Sequence, residues 1–207
     1  VAQQRLGTLK RSDSVAVELK EMIDGHLKGG YGHVELLYDF ADGGAGDGWL
    51  HGLFRYRDKL TGHAADSSFG AHIFNTVLTY KNEPQSYAGR APGLSTRLFL
   101  RLGSEPLDTI CHLIYPASTP WHGTSQTDLV LTSAAGAEIA TKRVEIACSG
   151  SFFFRYSEVF DEATRAKAGD GAYILIRDVT CRLFGFHGLI REAGPDGAFS
   201  LDHMFGF

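Results

Sequence analysis

The chain has 207 residues, 43% of them hydrophobic and 21% charged, with a formal net charge of −4. That length suits one large β-rich domain and suffices to bury roughly 70% of the surface its unfolded chain would expose, so no covalent or metal staple is required. The balance of apolar and charged residues excludes a disordered chain. The lack of an apolar run of about eighteen residues excludes a helical membrane span, and a net negative chain without a basic run argues against a nucleic-acid partner.

The first element read along the chain is a helix over Ser12–Gly25. Ser12 or Ser14 can cap its first turn, and Val15, Leu19, Met22 and Ile23 recur at helical spacing. Gly29 and Gly30 stop anything that runs on. From Tyr31 the period changes to two. Residues 33–40 and 49–57 read as strands on either side of a glycine-rich loop at 42–48. Asp58–Gly62 reads as a hairpin turn with glycine at its left-handed position. Phe69–Tyr80 reads as a long strand, and 81–94, with Pro84, Gly89, Pro92 and Gly93, as a long loop.

Ser95–Leu102 alternates cleanly. Leu98, Leu100 and Leu102 share one face, and Arg97, Phe99 and Arg101 share the other. Leu107–Tyr115 is a further strand and Pro116–Thr124 a second irregular loop. Thr127–Thr132 and Glu138–Cys148 flank a turn. Ser149–Ser151 breaks or bulges the sheet before Phe152–Tyr156. Ser157–Ala168 has room for one or two helical turns. Tyr173–Arg177, Thr180–Ile190 and Ala198–Phe205 complete the strands, with a turn at Gly194–Gly197.

About ten strands without intervening helices imply antiparallel pairing. The expected fold is all-β, a mainly antiparallel β-sandwich with one short N-terminal helix, a closed β-barrel being the alternative. Residues 1–30 form an N-terminal extension with the helix, and 31–207 a single β-rich domain. No secretory signal is visible, and the cytoplasm is the expected compartment, with a removed signal peptide left open.

Three cysteines, Cys111, Cys148 and Cys181, lie in apolar strand-like segments without a Cys-x-x-Cys pair. They read as free thiols in a reducing compartment, with a Cys148–Cys181 disulfide as the competitor. Nine histidines are present, yet no His-x-His or helical His-x-x-x-His pair gathers them. Asp202 and His203 are strand neighbours that point apart, so they form no dyad with each other. Gly-x-Ser-x-Gly is absent, and the acidic glycine loop at 42–48 repels phosphate. Trp49 after Gly46-Asp-Gly resembles the Gly-x-Trp opening of lipocalin-type barrels, with Asp47 where that motif has glycine.

The most suggestive feature is Arg97, Phe99 and Arg101 on one strand face, with Arg55 and Arg57 similarly spaced on another. Arginine forks bind carboxylates and anionic sugars, and aromatics stack between them. Tyr87, Arg90, Trp121 and His122 in the irregular loops add contact-type side chains. The sequence therefore points to a non-catalytic binding or assembly module. It would recognise a small ligand, glycan or protein partner through loops and one sheet face, with a homo-oligomer open and neither cofactor nor metal expected. One alternative is a metal-dependent β-barrel enzyme with histidine ligands from separate strands and Glu35 or Glu138 as carboxylate. The other is a lipocalin-like carrier of an apolar ligand.

Overall fold

The computed structural model describes residues 2–10, 12–34, 36, 51–70, 96–115, 122–191 and 197–204. The chain divides into two compact units, Val1–Val34 and Glu35–Phe207.

In the first unit the expected helix shrinks to one turn, α1 (Lys20–Ile23). Neither Ser12 nor Ser14 caps it. Leu19 occupies the N-cap without a side-chain bond, and Ser12 stands at φ +68° in a turn closed by Asp13 on the Lys10 amide. The reason is packing. Val15 is 47% exposed and Leu19, Met22 and Ile23 are only half-buried, so the apolar stripe gains too little burial to offset the cost of a longer helix.

Among the described residues of the second unit, the first elements form a hairpin of β1 (His51–Arg57) and β2 (Ala64–Gly70). Its turn is the expected one. Asp58 Oδ1 accepts the amides of Leu60 and Thr61 at 2.8 Å each, and Gly62 takes φ +72°. The return strand starts at Ala64 rather than Phe69. The rest of that expected strand, most of the strand at 33–40, and the loops at 42–48 and 81–94 lie outside the described residues.

Two larger sheets follow. The first runs β3 (Thr96–Arg101), β8 (Tyr173–Asp178), β5 (Thr127–Thr132), β6 (Glu138–Val144). The second runs β10 (Ala198–Phe199), β9 (Phe184–Arg191), β4 (Asp108–Tyr115), β7 (Gly150–Arg155), with β11 (Asp202–Met204) also on β9. Every described pairing is antiparallel. Between β7 and β8 stand α2 (Tyr156–Val159) and α3 (Glu162–Ala168), the latter capped by Asp161 on the Thr164 amide at 2.7 Å.

The sheets pack face to face because period-two alternation gives each one oily side. Leu98 and Leu100 of β3 join Leu129 and Leu131 of β5 and Ile174 and Ile176 of β8. Across the gap, Cys111, Leu113, Phe154 and Met204 complete one buried cluster. Each fully buried leucine contributes about 1.5–3 kcal/mol. At the seam Leu98 of one sheet and Leu113 of the other both approach Gly185 on β9. Among the described residues the sheets stay open, so the fold is the expected sandwich and not the closed barrel.

Three further boundaries differ from the sequence reading, the first being the strand expected from Thr180, which starts only at Phe184. The strand from Glu138 stops at Val144 instead of Cys148, and Ala147 makes only an isolated bridge to Thr124. There the chain turns through Ser149 at φ +60° to start β7. The expected last strand is split at Ser200, whose amide and hydroxyl both bond the Leu189 backbone in place of regular pairing.

Candidate functional site

β3 places its side chains as its alternation requires. Thr96, Leu98 and Leu100 are buried and Arg97, Phe99 and Arg101 are exposed, Phe99 by 49%. Antiparallel register extends this outer face across the sheet. Arg97 lies opposite Arg177 of β8, Arg177 opposite Asp128 of β5, and Asp128 opposite Arg143 of β6. The next row is Phe99, Leu175, Val130 and Thr141, and the third is Arg101, Tyr173, Thr132 and Glu138; in both the β5 member, Val130 or Thr132, is buried, so the open part of the face on the β3 side lies at β3 and Arg177.

In the first row two of the three guanidinium groups, those of Arg143 and Arg177, share the Asp128 carboxylate. Arg143 Nε donates to Asp128 Oδ1 at 2.5 Å, and Arg177 Nη2 stands 3.5 Å from Asp128 Oδ2. These contacts, the Arg143 bond foremost, hold the Asp128 carboxyl below its ordinary range. Asp178 and Glu145 add weaker electrostatic support to Arg143, while Arg97 has no carboxylate partner in the row. Arg97 and Arg177 are like charges directly opposite, an arrangement that disfavours the bare sheet. Phe99 tilts toward the Tyr173 ring at 6.0 Å and forms, with Leu175, an apolar strip beside the arginines.

Support comes from underneath. Asp178, the neighbour of Arg177, points inward and is 1% exposed. One of its oxygens accepts from the Gln126 amide and the Thr127 hydroxyl, both at 2.9 Å. The other accepts from the Thr180 amide at 2.6 Å, the Thr180 hydroxyl at 2.7 Å and the Cys181 amide at 2.9 Å. The residues gripped on β5 immediately precede Asp128. The clasp therefore fixes the two strands that carry Arg177 and Asp128.

The other sequence candidates fare differently. His122 is exposed, and its carbonyl accepts the Tyr115 hydroxyl at 3.0 Å; no described contact joins it to the arginine face. Tyr87, Arg90 and Trp121 lie outside the described residues. Arg55 does not offer a second anion fork, because Asp66 already holds it through two bonds of 2.8 and 2.9 Å. Sequence reasoning missed Arg177, Leu175 and Tyr173, although Tyr173–Arg177 shows the same alternation as β3 read backwards. Their partnership needed the register, which local pattern does not reveal.

The three cysteines are free, with Cys111 and Cys181 buried. Burial pushes the Cys111 thiol well up, away from nucleophilic use. Among the described residues no group of three His, Cys, Asp or Glu side chains is placed to hold a metal. No described helix is long and apolar enough to cross a membrane.

His187 on β9 lies opposite Asp202 of β11. Burial lowers its pKa from 6.5, and Asp202 opposes that only partly. The unfolded chain thus takes up the proton more readily than the folded one. The stability His187 contributes is present above 6.5 and is lost as pH falls from there through the lower folded value. His187→Gln should accordingly lose less stability than the parent between about pH 7.5 and 5.5. Urea unfolding at both pH values checks this, and equal losses would reject it.

In the N-terminal unit an open groove of about 410 Å³ is lined by Gln4–Leu6 and residues of Val15–Met22, and it gathers no reactive cluster. Comparison of the chain with family models, curated proteins and solved structures finds no match.

Proposed function

We propose that the chain is a non-catalytic binding or assembly module that takes an anionic ligand on the outer face of its four-stranded sheet. The observation that carries this reading is the cross-strand pair Arg97–Arg177. Two like charges abut on the sheet face, and the nearest carboxylate, Asp128, pairs with Arg177 and Arg143 but not with Arg97. Such a local conflict costs the unliganded protein and is relieved when an anion arrives. Arg101 adds a further cation, and the half-exposed Phe99 offers a stacking or apolar contact. Guanidinium forks favour carboxylates and sulfates over neutral ligands.

The test uses two carboxylate polymers as probes, polyglutamate and polygalacturonate, titrated calorimetrically at low salt. Arg97→Ala with Arg101→Ala should weaken binding about tenfold or more, and raised salt should weaken the parent likewise. Asp128→Asn should move the other way. It frees Arg143 and Arg177, so binding tightens while the fold loses two cross-strand ion pairs. If neither probe responds to any of these substitutions while the fold stays intact, the proposal fails.

A further inference from the structure

We infer that the occupant of this face is an extended acidic segment of another polypeptide, laid along β3, with carboxylates four residues apart and an apolar side chain midway. This rests on the anion-binding reading above and deepens it. Arg97 and Arg101 stand four residues apart on one strand, about 13 Å at the rise of extended backbone. A ligand that is itself extended has the same rise. Its side chains at positions one and five then meet the two arginines, and its third meets Phe99, without strain in either chain. Neighbouring strands are about 4.8 Å apart, so Arg177 can close on the same carboxylate as Arg97 from the far side. The face is available: Arg97, Phe99, Arg101 and Arg177 are all exposed.

Charge decides against a second copy of this face, since the arginine rows would meet each other. This chain contains two acid–apolar–acid alternations, Glu35, Leu37 and Asp39, which lie outside the described residues, and Glu158, Phe160 and Glu162. Phe160 is 5% exposed within the core and its neighbours turn into α2 and α3, so the folded protein cannot present that segment to another copy. The occupant we infer is a partner polypeptide with an accessible acidic strand.

The experiment measures fluorescence anisotropy of labelled peptides with the full chain at low salt. One peptide carries the core Glu-Thr-Phe-Thr-Glu, and an isomer of the same composition carries Glu-Glu-Phe-Thr-Thr. A third carries Lys-Thr-Phe-Thr-Lys, and polygalacturonate competes as the glycan probe. The patterned peptide should bind about two- to fivefold tighter than its isomer, which keeps only one of the two matched exposed charge pairs. Arg97→Glu with Arg101→Glu should abolish that binding and accept the lysine peptide instead, which also shows that the variant is folded. Equal affinity for the two isomers, both weakened by Arg97→Ala with Arg101→Ala, overturns the extended-peptide inference and leaves the anion-binding reading standing. Polygalacturonate binding tighter than either peptide, with the same arginine dependence, overturns it in favour of a glycan. Binding of every probe that ignores Arg97 and Arg101 overturns both.

Discussion

Asp178→Ala should lower the stability of the fold by about 3–5 kcal/mol, a large share of what a domain possesses. The carboxylate is 1% exposed and accepts five hydrogen bonds from β5 and from the turn after β8. Alanine leaves three amide donors and two hydroxyls without their acceptor. The hydroxyls can rotate elsewhere, but the amides of Gln126, Thr180 and Cys181 are fixed by the backbone. Each unsatisfied buried donor costs about 1–3 kcal/mol, and water entry recovers part of the total. The expected fall in Tm is roughly 6–20 °C for a chain of this size. Asp178→Asn keeps one acceptor oxygen and turns an amino group toward the other donors, so its loss should fall between those of Ala and the parent. The clasp also holds the strands bearing Arg177 and Asp128, so the Ala variant should bind anionic probes more weakly even where it remains folded. Denaturant unfolding measures the first effect, and a loss below about 1 kcal/mol would show that Asp178 is not the clasp.

Gly188→Ala should be nearly as damaging, at about 3–4 kcal/mol, for a steric reason. A Cβ at Gly188 would overlap the carbonyl oxygen of Ser200, with the carbonyl carbon 2.9 Å away. Both obstacles are backbone, so no rotamer change relieves them. Ser200 is the hinge between β10 and β11, and its amide bonds the Leu189 carbonyl at 2.9 Å while its hydroxyl accepts the Leu189 amide at 3.0 Å. Displacing it lifts both short strands from β9 and draws Met204, 4% exposed, out of the core. Gly185→Ala supplies the contrast. There the first obstacle is the terminal methyl of Met204, on a flexible side chain, with Leu113 and Leu98 at 3.3 Å. The Gly185 substitution should therefore cost less than the Gly188 one. Hydrogen exchange should show faster amides over 198–204 in Gly188→Ala alone. Greater damage at Gly185, or unchanged exchange in Gly188→Ala, would contradict this account.

Much of this architecture is written locally. Alternation in Thr96–Arg101 and Tyr173–Asp178 fixes which side chains go inward, because strand geometry flips each successive residue to the other face, whereas Thr127–Thr132 is buried on both faces. Asp58 and Gly62 determine the hairpin turn through their own backbone chemistry. The arginine–phenylalanine–arginine face was legible for the same reason. The helix at 12–25 failed because its pattern promises burial that only a neighbouring surface can supply, and Val15 finds none.

The sequence by itself determined the strand-rich class, the antiparallel pairing and the outward aspect of Arg97, Phe99 and Arg101, since all three follow from period and turn residues. Tertiary structure alone decided that Arg177 lies beside Arg97, that Asp128 stands between Arg177 and Arg143, and that Asp178 ties these strands together from within. Register between strands distant in the chain is a property of the whole fold. It is selected by which oily faces can close together, and no window of neighbouring residues contains that information.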